Sequence, residues 1–555
     1  MAEMEVKEGD LSDSVGSIET SCSPKKGAVS RKKRCVEFFR KFLKYTGPGW
    51  LMSLAYLDPG NLEADLQAGA YTDYQLLWIL LGAHILGFVM QVLAARLGTV
   101  SGRHLAEICK EKYSTNLCRV LWVMTELAII GADVQEVIGT AIALNVLLGI
   151  PMWAGVLITA ADTFTFLAVH YYKGVRAIEV FIFALIMLMM GCFFANFAII
   201  SPPAIDVLSG FLPTNLHHYA VLQAVAIIGA VIMPHNIYLH SALVTEKGVD
   251  QTDLQHVKEA NYFFMIDSAI ALTVSFVVNL ALLSSFAAGF FSVNCAGRVD
   301  SHGLVQNLGC LIGLSESDAA VCDAAIDATC VCANSLGMGG FCAKIGLEEA
   351  SGALESLLGG YAKYIFALGL FAAGQASTLT GTFAGQYVMN GFMQFRIPIW
   401  LRTLVTRLIA LGPALTIAIC QSFIPSLGEA SEWLNVLQSV QLPFAILPLL
   451  HFCIDPEIMG TFALKSVWKI VTLWTISICI IGTNFFMIAA HITPLQPQWY
   501  VWATLFVCGA GYLCLCYLCI HTDVVRLWSR LNTWRKNIPN ILSKNHANIQ
   551  TTLQT

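Results

Sequence analysis

"YLDPGN", residues 56–61, interrupts a stretch that otherwise reads as a helix crossing hydrocarbon. Pro59 removes a backbone donor and its ring clashes with the preceding turn, while Gly60 lets the chain leave the helix cheaply; the helix is expected to break near its middle. Irregular backbone at membrane depth survives only where it is buried in protein or lines a cavity. A carboxylate there costs about 2.5–3.5 kcal/mol on insertion scales, so Asp58 is read as a functional residue. The competing reading, Asp58 paired with a structural Lys or Arg, finds no obvious partner in the neighbouring spans.

The rest of the chain supports a membrane setting. Its 555 residues are 56% hydrophobic and only 12% charged, with a mean hydropathy of +0.65, which excludes an ordinary water-soluble globule. Residues 1–43 carry acids, serines and the basic run "KKGAVSRKKR" but no early apolar segment. They read as a disordered tail without a cleaved signal, leaving the first hydrophobic helix to act as its own signal.

Stretches long enough to cross about 30 Å of hydrocarbon occur near 46–69, 75–97, 119–146, 152–171, 177–200, 221–245, 262–290, 350–385, 403–425, 433–453, 467–491 and 498–520. The reading is therefore an all-α polytopic protein of about twelve spans, in a transmembrane domain over 44–520. Arg103, Lys110, Lys112, Arg119, Lys173, Arg176, Lys247, Lys258, Arg396, Arg402, Lys465 and Lys469 lie in alternate connections or at their ends; the short connections between those, near 70–75, 147–152, 201–220, 424–432 and 492–498, lack Lys and Arg, and the long one over 292–346 has only Arg298 and Lys344. By the positive-inside rule both termini, including the 521–555 tail, are expected in the cytoplasm.

One outer loop, 292–346, is long and holds Cys295, Cys310, Cys322, Cys330, Cys332 and Cys342. In an oxidising compartment six cysteines are expected to form disulfides, in a pairing that sequence leaves open; a metal-gathering site built on "CVC" is the alternative. The chain carries no Asn-x-Ser/Thr acceptor for glycosylation. Cysteines near the last span read as small apolar residues, with a cytoplasmic-end residue such as Cys519 open to palmitoylation.

The sixth span repeats the first anomaly. "IIGAVIMPHNIYLHSAL" places Met233, Pro234, His235 and Asn236 between an apolar and a polar half-helix. If 44–200 and 221–453 are two repeats of five helices, each repeat opens with a broken helix, the pointer to a midplane site in an inverted-repeat transporter. Asp58 offers a hard oxygen, Asn61 an amide oxygen one turn later, Met233 a soft thioether, and unwinding frees carbonyls such as those of Ala55 and Ala230. Oxygen alone suits magnesium or calcium; sulfur adds affinity for iron(II), manganese, cobalt or cadmium. A lone Met packing a gap is the bland alternative.

"LDPGN" with "MPHNIYLHSAL" resembles the signature pair of the Nramp family of proton-coupled divalent metal-ion transporters. The likeness extends through "ADVQEVIG", "GLFAAGQASTLTGTFAGQ" and "LNVLQSVQLPFA", over roughly residues 44–520. It implies a leucine-transporter-type fold of ten core helices plus two, alternating access, and uptake of iron(II) or manganese(II) with protons. It also implies metal ligation by Asp58, Asn61 and Met233, with the Ala55 and Ala230 carbonyls and Asn435 contributing in some conformations. Asp133, Glu136 and His235 match proton-path positions of the family. Where the family often has two adjacent arginines in the ninth span, Arg402 is followed by Thr403, which puts that part of the proton exit in doubt.

Asp133 and Glu136 share a helix face, where two carboxyls resist joint ionisation and can pass a proton. His235 follows the sixth-span break and His240 lies further along, and imidazole titrates near neutral pH; either can equally be a satisfied hydrogen-bonder. No cofactor or catalytic residue is expected, and the partners are metal ions, protons and the bilayer, with no nucleic acid. A monomeric transport unit in a plasma, endosomal or vacuolar membrane fits this reading. A sodium-coupled amino-acid carrier of the same fold has no use for Asp58 and Met233 together. A transport-inactive metal receptor of the same fold would need an output domain, and only 35 residues follow residue 520. The breaks disfavour a passive channel, and "MPHN" a magnesium- or aluminium-selective relative.

Overall fold

A computed structural model describes residues 31–159, 161, 175–213, 216–299, 305–312, 331–393, 399–419, 427–493 and 498–521. By contacts the chain divides into residues 1–44 and 45–555. The described part of the first unit is helical from Arg31 to its end.

In the second unit each expected span except the fourth, which falls largely outside the described residues, coincides with a helix or pair of helices. Eight of the described helices are long and apolar enough to cross a membrane. The first span is two short helices, Pro48–Leu54 and Pro59–Thr72. The sixth span divides into Val221–Val231 and Pro234–Thr245. Proline opens the second half-helix of each pair, in the first turn, where the N–H groups have no partner within the helix in any case.

Two spans differ in layout from the sequence reading. The expected eighth span, 350–385, begins instead at Gly360 and runs to Met393. A separate helix, Leu347–Leu358, precedes it, and Gly359, at φ 93°, makes the turn between them. The tenth span is also divided, into Leu427–Gln441 and Pro443–Ile454, because Pro443 ends one helix and starts the next.

The Cys-rich loop carries a small sheet. Gly339–Ala343 is the central strand, antiparallel to Gly309–Ile312 on one side and Val331–Ala333 on the other. Cys295 pairs with Cys342 and Cys310 with Cys332, so Cys332 of the "CVC" pair is in a disulfide, whereas Cys322 and Cys330 lie outside the described residues. The loop is fastened to the spans at several points. Tyr71 Oη both donates to the Ile345 carbonyl and accepts from the Ile345 N–H, each at 2.8 Å. Glu63 Oε2 accepts from the Leu347 N–H at 2.6 Å. Asn307 Nδ2 donates to Gln223 Oε1 at 2.9 Å, and Gln223 Nε2 donates to Glu432 Oε1 at 2.7 Å.

Cys519 is fully buried and Tyr113 Oη donates to its carbonyl at 2.7 Å. That thiol has no room for an acyl chain, and Cys508 and Cys514 of the same helix are the exposed ones.

Candidate cation site

The first break spans Ala55 to Asp58. Asp58 takes an extended backbone (φ −75°, ψ 166°) and caps the second half-helix, its Oδ1 accepting from the Asn61 N–H at 2.9 Å. Such a cap satisfies one of the donors a helix start leaves open and stabilises it by about 0.5–2 kcal/mol. Asn61 is one turn on, so its side chain returns over the break. Its Nδ2 lies 2.7 Å from Asp58 Oδ1, 3.0 Å from the Ala230 carbonyl and 3.5 Å from the Ala55 carbonyl. Three oxygens from two different spans thus converge on one nitrogen. Asn61 Oδ1 is buried with no hydrogen-bond partner among the described residues.

Met233 is the corresponding residue of the second break, with an extended backbone (φ −67°, ψ 132°), 2% exposed, and directly before Pro234. Ala230 is in the last turn of the preceding half-helix.

Asn435 lies against the first break, its Nδ2 donating to the Gly60 carbonyl at 2.9 Å. Gln135 of the third span holds it there. Gln135 Nε2 donates to Asn435 Oδ1 at 2.9 Å, to the Ser431 carbonyl at 2.9 Å and to Ser431 Oγ at 3.0 Å, and Gln135 Oε1 accepts from Gln438 Nε2 at 3.0 Å. A methyl on Gly60 would sit 2.7 Å from Gln135 Oε1. Glycine therefore does two things in "DPGN": it eases the break and lets the third and tenth spans close on it.

Other freed backbone is also satisfied by side chains. Asn279 Nδ2 donates to the Tyr56 carbonyl at 3.0 Å, and Gln91 Nε2 to Tyr56 Oη at 3.2 Å. His240 Nδ1 is bonded to Gln91 Oε1, which ties it to this network. His235 is buried, and its Nδ1 has no hydrogen-bond partner among the described residues. Asp133 and Glu136 face the eighth span together: a methyl on Gly381 would lie 2.8 Å from Asp133 Oδ1 and 3.3 Å from Glu136 Oε1. Arg402 is on the ninth-span helix Ile399–Ile419, with its side chain outside the described residues.

Several buried polar groups escaped the sequence reading: Gln135, Gln438, Asn279, Gln91, Glu63, Asp65, Glu432 and Asp267. Asp267 Oδ2 accepts from the Gly49 and Gly47 N–H groups at 2.7 and 3.3 Å, at the start of the first half-helix. A polar side chain inside an apolar span was the available signal, since each must find a partner in hydrocarbon. Among the described residues no buried side chain is Lys or Arg, while Asp58, Glu63, Asp65, Asp133, Glu136, Asp267 and Glu432 are buried.

Two interrupted helices meeting inside a polytopic bundle, with their unwound backbone turned on one polar centre, define a secondary transporter of the leucine-transporter type. The family model described as natural resistance-associated macrophage protein-like matches residues 49–317 and 324–490. The chain belongs to the Nramp family, whose members are transporters and not enzymes. It is 41% identical over 513 residues to the metal transporter nramp1 homolog of Dictyostelium discoideum, covering 91% of this chain and 85% of that one. It is 45% identical over 441 residues to the NRAMP-like transporter smf-3 of Caenorhabditis elegans, covering 78% and 75%. A crystal structure of the Eremococcus coleocola manganese transporter superposes with a TM-score of 0.68 at 31% identity, covering 88% of this chain and 95% of that one. The family membership supports metal-ion transport.

Proposed function

We propose that the protein carries manganese(II) or iron(II), with cobalt and cadmium as further substrates, into the cytoplasm by proton symport and alternating access. The observation that carries this reading is the convergence of Asp58 Oδ1 and the Ala55 and Ala230 carbonyls on Asn61 Nδ2. Oxygens with lone pairs aimed at one point repel one another unless something positive lies between them. Here the amide hydrogens fill that role. A half-turn of the amide exchanges nitrogen for Asn61 Oδ1, which now lacks a partner, and leaves an oxygen set suited to a divalent cation. Met233, at the second break, supplies the sulfur that favours a transition metal over calcium or magnesium.

In this mechanism an ion enters from outside, sheds most of its water among Asp58, Asn61, Met233 and the two carbonyls, and replaces a proton on or near Asp58. The half-helices then rock, closing the outer side and opening the inner one. Asn435 follows the first break through its bond to the Gly60 carbonyl. Protons move in the same direction by way of Asp133, Glu136 and His235, with His240 and Arg402 further along. Both termini face the cytoplasm, the Cys-rich loop faces outward, and one chain is the transport unit.

The test is manganese uptake by proteoliposomes. Asp58→Ala protein, inserted at parental abundance, is expected to lose uptake. Uptake at the parental rate would overturn the mechanism.

A further inference from the structure

The helix Arg31–Tyr45, RKKRCVEFFRKFLKY, is not used by the transport site. It holds seven bases against one acid. At 100° per residue the sequence sorts into two faces. Val36, Phe39 and Leu43 form one stripe, 63%, 58% and 45% exposed, while Glu37, Arg40 and Lys44, also exposed, form another about a quarter-turn away. An apolar stripe left in water is unfavourable, and charged side chains such as Arg40 and Lys44 do not belong in a protein core.

We propose that this helix lies in the headgroup layer of an anionic membrane leaflet, with Val36, Phe39 and Leu43 dipped among the acyl chains and Arg40 and Lys44 on lipid phosphates and carboxylates. An exposed aromatic and aliphatic stripe bordered by Arg and Lys is what interfacial helices require. Charge complementarity selects anionic lipid. Continuity selects a bilayer over a soluble partner: only Thr46 and Gly47 separate Tyr45 from Pro48 of the first span, so the chain itself tethers the helix to a membrane-spanning segment. The choice of the cytoplasmic leaflet rests on the topology given under Proposed function; the lipid contact itself does not. A calcium-loaded calmodulin-type protein also takes basic amphipathic helices, and the experiment separates the two.

The full chain is placed in nanodiscs of phosphatidylcholine, alone or with about one-third phosphatidylserine, and amide hydrogen exchange is followed for the peptide spanning 31–45. Exchange about tenfold slower in the anionic discs is expected, with the difference erased by high salt. Arg40→Glu with Lys44→Glu should remove the dependence on phosphatidylserine. Phe39→Ser with Leu43→Ser should speed exchange in both discs. Exchange that is equal in both lipids for the parental chain, or that slows only on adding calcium-loaded calmodulin, overturns the proposal. Peptides of the transmembrane spans, unchanged across all variants, establish that the fold is intact.

Discussion

The Asn61 side-chain amide donates to the Ala230 carbonyl at 3.0 Å, joining residues 169 apart in the chain that flank the two helix breaks. The same nitrogen reaches Asp58 Oδ1 at 2.7 Å. One side chain therefore reads the position of both broken spans.

Substrate choice should depend on the sulfur at the second break. Met233→Ala protein is expected to keep manganese uptake while losing discrimination against calcium, because oxygen donors alone serve hard ions equally well. Competition of calcium, magnesium and cadmium against manganese in proteoliposomes measures this. Unaltered calcium rejection would remove Met233 from the ligand set.

Gly60→Ala drives a methyl to 2.7 Å from Gln135 Oε1, within a network in which Gln135 serves Asn435, Ser431 and Gln438. Overpacking of this kind costs about 1–3 kcal/mol. Uptake should fall, and Gln135→Ala introduced with Gly60→Ala should restore part of the loss by making space. A double variant no better than Gly60→Ala would show that glycine is needed there for backbone conformation alone.

Gly229 meets the tenth span backbone to backbone: a methyl there would overlap the Asn435 carbonyl oxygen and sit 2.8 Å from the Ser439 nitrogen. Neither atom belongs to a flexible side chain, so relief requires the helices to separate. Gly229→Ala is expected to lower the thermal midpoint and to reduce manganese uptake more than Gly60→Ala does. Parental values for both measurements would contradict the close approach.

The outer loop is held by chemistry of two kinds. Cys295→Ser with Cys342→Ser opens a loop with a sequence separation of 47, a loss of about 4 kcal/mol by chain entropy. Glu63→Ala leaves the buried Leu347 N–H without its acceptor, at a cost of about 1–3 kcal/mol. Thermal scanning of each should show a lower midpoint, with the larger fall for the cysteine pair. If neither shifts, the loop contributes nothing to the stability of the spans.

Hydropathy placed the spans because about 30 Å of hydrocarbon demands an apolar run of known length, whatever surrounds it. Pro59 with Gly60, and Pro234, announced their breaks for an equally local reason: a missing N–H is a property of the residue itself. Pro443 carries the same signal within "LNVLQSVQLPFA", where it divides the tenth span. The start of the eighth span differs because residues 350–358 carry a single acid, Glu355, and read as its first turns, with only Gly359 separating the two.

Partnership was a different matter. Sequence singled out Asp58 and Asn61 but held nothing to say that Asn61 would reach Ala230, that Gln135 would hold Asn435, or that Glu63 would hold the Leu347 N–H. These bonds join atoms far apart in the chain, and they form because a buried polar group in a bundle must be satisfied by whichever span lies opposite. Residue chemistry by itself determined where the chain crosses and where it breaks; only packing of the spans decided which donor meets which acceptor, since that depends on distances between helices that no local rule contains.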